Sequence, residues 1–344
     1  MQKQVIVIKL GTASITDENG VISKSVIKKV AASIADLSKT YNVVLVSSGA
    51  VGSGKAFIQH YKGTLSERKA AAAIGNPILI QLYQKFFAEY KIPVAQALCE
   101  RHHFSNRSQF LQLKETFEAF WANGIVPVVN ENDLVSNVEL KFSDNDELAT
   151  LIAIGFNAQN LIICTSVGGF LNDKKEIISV IGKIDNTIMA FVKKDKSTVG
   201  LGGMVSKLTF ARLAVSLGIQ VIICGLSGIN PFADALAGKN GSVFTAHQSN
   251  LKARQKWLAS GSITIGSITV DKGAVKALEQ RRSLLTVGVM TIQGKFAAGE
   301  VVQIMNDEGK IIGVAKVKIA AGPLSENLHI KHVMAAHADD IVLF

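Results

Sequence analysis

Two lysines in this chain stand where a positive charge needs a reason. Lys9 ends the apolar run "VIVIK", and Lys207 follows the glycine-rich stretch "STVGLGGMVSK" near the head of a segment with helical period. Both placements suit an anion, because glycines let backbone N–H groups approach closely and a helix amino terminus adds partial positive charge. The glycine stretch is not a Walker A loop, which needs Gly directly before Lys and a hydroxyl residue after it. Taken alone it fits either a phosphate loop of another kind or a plain loop with an early-helix lysine. Other polar punctuation accompanies the two lysines: "SSGAVGSG" with Ser48 and Gly49, "NENDLVSNVELKFSDNDE" with Asp133, Asn145 and Asp146, and "TSVGG" after Cys164. None of these stretches supplies a Ser/His/Asp grouping or an evident general base.

The elements that must carry these residues are legible in the hydrophobic pattern. Residues 1 to 245 alternate short β-branched runs ("QVIVIK", "NVVLVSS", "PVAQAL", "IVPVVN", "NLIICT", "QVIICG") with longer helical-period segments, as in parallel βαβ units. The helical segments are "SKSVIKKVAASIADLSKT", with Ser23 as a cap, "NPILIQLYQKFFAEYK", "FLQLKETFEAFWANG", "DNDELATLIAIGFNA" and "MVSKLTFARLAVSLG", most of them amphipathic. Continuous apolar strands predict a sheet covered on both faces, hence a three-layer α/β/α sandwich with a mainly parallel sheet. In such sheets ligands gather beyond the carboxyl ends of the strands, where the polar stretches above fall.

Composition narrows the classes further. A chain of 344 residues, 48% hydrophobic with mean hydropathy +0.28, has material for a sizeable core and is long enough for a second domain. No apolar run approaches the roughly 18 residues of a membrane span, so a cytoplasmic protein is expected. Cys99, Cys164 and Cys224 lie far apart in sequence, without a C-x-x-C pair, and read as buried small hydrophobes in a reducing compartment. From residue 261 onward nine Lys/Arg face eight Asp/Glu, which leaves an excess of nine positive charges in residues 1 to 260. That front part should hold whatever binds anions, if the charge is more than a solvated surface.

In this order and spacing, "KLGT", "SSGA", "VPVVNEND", "DNDEL" and "GLGGMVSK" resemble the glutamate 5-kinases, a branch of the amino acid kinase family. The resemblance spans nearly the whole chain, since the tail is similar to the PUA domain many of these enzymes carry. It implies transfer of the ATP γ-phosphoryl group, with Mg²⁺, to the side-chain carboxylate of L-glutamate, giving L-glutamyl 5-phosphate in the first step of proline biosynthesis. It further implies catalytic roles for Lys9, Lys207 and Asp146, with Asp146 orienting the lysines. Glutamate contacts are implied for Ser48, Gly49, Asp133 and Asn145, Asp133 receiving the α-ammonium while Ser48 and Asn145 serve carboxylate oxygens. For ATP the implied set is Lys9, Gly11, Thr165, Ser166, Leu201, Gly202, Gly203, Met204 and Lys207. Homo-oligomers and functional coupling to glutamate-5-semialdehyde dehydrogenase are family expectations as well.

The chemistry agrees with the absence of a base. A glutamate side chain, with an ordinary pKa of about 4.3, is already ionised at neutral pH. The obstacle is repulsion between two anions, on the order of 4 kcal/mol for unit charges about 4 Å apart at an effective dielectric near 20, and cations must offset it. Departures from the family fall on the nucleotide side: Thr165-Ser166 stands for the usual Thr-Asp, Leu201 for the usual Thr of the glycine loop, and "GGFLNDKKE" lacks the usual Asp-Pro. Two other readings are weighed: another member of the family (acetylglutamate, aspartate or uridylate kinase), and an RNA-binding or regulatory protein with a decayed nucleotide site. RNA binding by the tail is not favoured, given its near-neutral charge. His329, His332 and His337 lack a completing ligand set and read as ordinary tail histidines, so no protein metal site is expected. The expected domains are 1–250, a basic linker 251–260, and a β-rich unit 261–344.

Overall fold

The computed structural model describes residues 3–17, 21–134, 144–185, 187–188, 191, 201–247, 266–328, 330 and 332–343. Contacts divide the chain into two units, Met1–Glu100 with Lys114–Ser249, and Arg101–Leu113 with Asn250–Phe344. The expected linker 251–260 lies outside the described residues.

The first unit is built on strands β1 (Gln4–Leu10), β2 (Tyr41–Ser47), β3 (Val94–Cys99), β4 (Val126–Glu131), β5 (Asn160–Cys164), β6 (Val180–Ile181), β7 (Gln220–Cys224) and β8 (Ser242–Phe244). They form one sheet in the order β3-β4-β2-β1-β5-β7-β8-β6, parallel throughout except between β7 and β8. The six strands read from the apolar runs are all present. β6 and β8 are too short to stand out by composition. Central strands are buried along their length, whereas β3, at one edge, alternates between covered and open positions.

Strand order reverses at β1, which has β2 on one side and β5 on the other. Register aligns the carboxyl ends: Leu10 stands level with Ser47 of β2 and Cys164 of β5, and Cys164 with Cys224 of β7. The polar stretches after β1, β2, β4 and β5 therefore leave the sheet along one edge, at its switch point. Ile6, Ile8 and Leu10 enter the core on one face of the sheet with Ile27, Ile34, Tyr83 and Phe87. Period-two alternation sends Lys9 to the opposite face.

The helix Asn145–Gly155 packs against β1 and is buried from Asp146 to Gly155, so it is enclosed on all sides and is an exception among helices most of which were expected to be amphipathic. The helix Leu201–Ser216 packs on it. Its start precedes the expected one, so Gly202 and Gly203 lie in the first helical turn rather than in a loop, and Lys207 sits a further turn in. The helix Leu65–Ala88 also starts early, fixed by a capping box in which Glu67 N–H donates to Thr64 Oγ1 (3.4 Å) and Thr64 N–H to Glu67 Oε2 (3.0 Å). It lies against the short helix Ala50–Gly54 through bare glycines: a β-carbon on Gly75 would stand 1.7 Å from the Ala50 carbonyl oxygen.

In the second unit Gly266–Val270, Val289–Gly294, Val301–Met305, Ile311–Lys316 and Ile341–Leu343 make a five-stranded sheet over a core that includes Ile268, Val302, Ile304 and Leu324. The expected hairpin at "NDEG" is present, with Asn306 N–H donating to the Lys310 carbonyl (2.9 Å) and Gly309 at φ +77°. Asp271 caps the helix Lys272–Glu279 by accepting from Ala274 N–H (2.7 Å). Among the described residues no helix is long and apolar enough to cross a membrane.

Candidate active site

Asp144 starts the site by starting a helix. Its Oδ1 accepts from the N–H groups of Asp146 (2.8 Å) and Glu147 (3.1 Å), and its Oδ2 accepts from Ser206 on the neighbouring helix. Asp146 is thereby held in the first turn, 1% exposed, facing the sheet. Its Oδ1 lies 2.6 Å from Lys9 Nζ and its Oδ2 2.9 Å from Lys207 Nζ. One carboxylate thus bridges two ammonium groups that are 198 positions apart in sequence, which makes a buried charge tolerable and leaves the cluster with net positive charge. Lys207 also donates to the Gly203 carbonyl (3.4 Å).

Glycines keep space open beside both ammonium groups. A β-carbon on Gly11 would stand 3.8 Å from Lys9 Nζ, and one on Gly203 would stand 3.9 Å from Lys207 Nζ. Thr165 follows β5 on the same edge; its N–H donates to the Cys224 carbonyl (2.9 Å), and its Oγ1 accepts from Val167 N–H (3.4 Å). Ser166 is exposed next to it, and Met204 lies in the first turn of the Leu201–Ser216 helix. The side chains of Leu201 and Gly202, together with Gly200 and His329, fall outside the described residues.

Ser48, Gly49, Asp133 and Asn145 line a single cavity of about 370 Å³, along with Thr12, Asn130, Glu131 and Arg68. Gly49 adopts φ +108°, a backbone conformation suited to glycine, where the chain turns from β2 into the Ala50–Gly54 helix. A chain of amides sets the floor. Asn145 Nδ2 donates to Ser48 Oγ (2.9 Å) and to Asn130 Oδ1 (2.9 Å), and Asn130 Nδ2 donates to Asn76 Oδ1 (3.0 Å). Both amide hydrogens of Asn145 are committed, so what it can offer a ligand is its carbonyl oxygen, an acceptor.

Sequence reasoning passed over Asn130, Asn76 and Arg68. Asn130 lies inside "VPVVNEND"; Asn76 and Arg68 belong to the Leu65–Ala88 helix, away from the strand ends where polar residues signal a site. Among the described residues no three His, Cys, Asp or Glu side chains gather as metal ligands, and His337 instead pairs with Asp339 (3.4 Å).

Comparison with known proteins fits this geometry. The amino acid kinase family model matches residues 4–225 and the PUA domain model residues 266–329. A glutamate 5-kinase of Kosmotoga olearia is 37% identical over 95% of this chain and 92% of its own length. One from Haemophilus influenzae is 33% identical over 100% of both chains. This chain belongs to the glutamate 5-kinase family. Among solved structures, carbamate kinase from Giardia shares the fold of the first unit, with a TM-score of 0.52 at 20% identity, covering 72% of this chain and 100% of its own. A second Giardia lamblia carbamate kinase structure, bound to AMP-PNP, aligns with the same TM-score of 0.52 at 19% identity, over 71% of this chain and 99% of its own. In this chain Lys9, Asp146 and Lys207 form one ionic cluster, and Ser48 and Asn145 line the cavity.

Proposed function

We propose that this chain transfers the γ-phosphoryl group of ATP to the side-chain carboxylate of L-glutamate. A carboxylate oxygen attacks the γ-phosphorus, the bond from that phosphorus to the β,γ-bridging oxygen breaks, and ADP leaves; no proton moves. The observation that carries the reading is the Asp146 carboxylate holding Lys9 and Lys207 together at 2.6 and 2.9 Å beside a cavity with acidic and amide lining. Two cations flanking the migrating group offset the repulsion between nucleophile and nucleotide and favour the transition state, in which charge spreads over the phosphoryl oxygens. Positioning supplies the rest.

At the acceptor end, Asp133 and the Asn145 carbonyl oxygen receive the α-ammonium, and Ser48 donates its hydroxyl to an oxygen of the substrate. At the nucleotide end, Gly11, Thr165, Ser166, Leu201, Gly202, Gly203 and Met204 border the ATP. Mg²⁺ arrives with the ATP phosphates: Asp146 is taken up by two lysines and Asp144 by a helix terminus and Ser206, so these acids offer no dedicated cage. The ion would neutralise phosphate charge. An acyl phosphate is a labile mixed anhydride, which favours a cytoplasmic site and direct use by glutamate-5-semialdehyde dehydrogenase; self-association belongs to the same reading.

The test is to incubate purified protein with MgATP, L-glutamate and hydroxylamine and to measure hydroxamate and ADP together. Hydroxamate with glutamate, and far less product with aspartate, N-acetylglutamate or UMP, is the expected result. ADP release with one of the others in preference to glutamate would replace the acceptor, and no turnover with any would end the reading.

A further inference from the structure

We propose that Arg68 is the residue that reads the α-carboxylate of the acceptor and so restricts the cavity to α-amino acids; this rests on the glutamate reading above. Among the described residues lining the cavity, Glu131, Asp133 and Asp144 are acidic, and Arg68 is the single cation. A glutamate acceptor brings two carboxylates and one ammonium. Its side-chain carboxylate is directed to Lys9 and Lys207, and its ammonium finds Asp133 and Asn145. With Asp133 paired to the ammonium, the α-carboxylate would still share the cavity with Glu131 and Asp144, a repulsion that costs more as water leaves. Arg68 is the described lining group able to offset it, with a planar fork that matches a carboxylate in two hydrogen bonds.

Its placement supports a binding role. Arg68 sits in the first turns of the Leu65–Ala88 helix, immediately after the Thr64 and Glu67 capping box, and its N–H donates to the Thr64 carbonyl (2.9 Å). Glu67, the nearest acid in sequence, accepts from the N–H groups of Lys62 (2.9 Å) and Thr64 (3.0 Å), and these bonds hold its carboxyl below the ordinary range. Among the described residues the Arg68 side chain has no hydrogen-bond or ion-pair partner, and it lies exposed at the cavity wall. The close glycine contact between this helix and Ala50–Gly54 fixes the distance from Arg68 to the wall that carries Ser48 and Gly49.

The experiment compares L-glutamate with 4-aminobutyrate, which keeps the ammonium and the reacting carboxylate but lacks the α-carboxylate. For the full chain and its Arg68→Gln and Arg68→Lys variants, kcat and KM for glutamate are measured with hydroxylamine trapping, together with Ki for 4-aminobutyrate as a competitor and KM for ATP. A charge-assisted pair of this kind predicts that Arg68→Gln raises the glutamate KM by roughly tenfold to a hundredfold, the larger part of the loss falling on KM rather than kcat. Ki for 4-aminobutyrate stays within about twofold, KM for ATP is unchanged, and Arg68→Lys falls between. Equal weakening of both compounds, or no change in either, overturns the role of Arg68. Absence of glutamate turnover by the unaltered chain fells the glutamate reading itself, and this proposal with it.

Discussion

Replacing Lys207 by methionine keeps an unbranched apolar stem, one atom shorter, and removes the charge. The ammonium lies 2.9 Å from Asp146 and is 14% exposed, so the variant retains the Lys9 to Asp146 pair at 2.6 Å and the helix packing around it. On the proposed mechanism it loses one of the two cations that offset the meeting of a carboxylate with a polyphosphate. A unit charge about 4 Å from the migrating group interacts with it by on the order of 4 kcal/mol at an effective dielectric near 20. At about 1.4 kcal/mol per factor of ten, kcat should fall by roughly two to three orders of magnitude. The assay is the initial rate of hydroxamate formation at saturating MgATP and glutamate, beside a thermal melt. The expected melt shifts by less than about 5 °C, because the substitution opens no cavity. A folded Lys207→Met protein with kcat within fivefold of the parent would refute the reasoning, since the second ammonium would then be structural.

Asp146→Asn should behave differently, leaving two largely buried ammonium groups without their carboxylate; breaking such a pair costs about 3 to 5 kcal/mol, so the urea midpoint should fall well below that of Lys207→Met, and equal midpoints would contradict the bridge. Gly75→Ala gains helix propensity yet sets a β-carbon against the Ala50 carbonyl, so a net loss of about 1 to 3 kcal/mol is expected in denaturant unfolding; a rise in stability would show that the two helices separate freely. The Cys99 thiol is pushed up to about 12 from its ordinary 9.0, by burial first and then by the charge of Glu100. A raised native pKa means that its contribution to stability is complete below pH 9 and is lost as pH climbs toward 12. Urea midpoints at pH 8, 10 and 11 should therefore fall, and part of that slope should vanish in Cys99→Ala.

Much of this was readable before any coordinates. The strands announced themselves because a sheet covered on both faces needs uninterrupted apolar runs, and the site edge followed because Ser48, Asp133 and Thr165 are polar residues directly beyond such runs. The meeting of Lys9 and Lys207 was implied by resemblance alone. Nothing local in "VIVIK" or "GGMVSK" states that one aspartate will bridge them, since that depends on three elements packing together. The Leu65–Ala88 helix began early for a related reason: "LSERKAAAAIG" has small residues where an apolar stripe was sought, and their purpose is close approach to a second helix. The pairing of Cys164 with Cys224 across adjacent strands was equally hidden, because register joins them. Hydrogen bonding between the two thiols, together with burial, raises the pKa of Cys164, so the reading as buried, unreactive thiols fits.

The most direct test of the central claim is a crystal structure of the full chain with MgADP, aluminium fluoride and L-glutamate, in which the planar fluoride stands in for the migrating phosphoryl group. Fluorine ligands are expected within about 3 Å of both Lys9 Nζ and Lys207 Nζ, with the glutamate side-chain carboxylate in line behind the metal. A fluoride seated against one lysine only, or an acceptor carboxylate pointing away from it, would contradict the account.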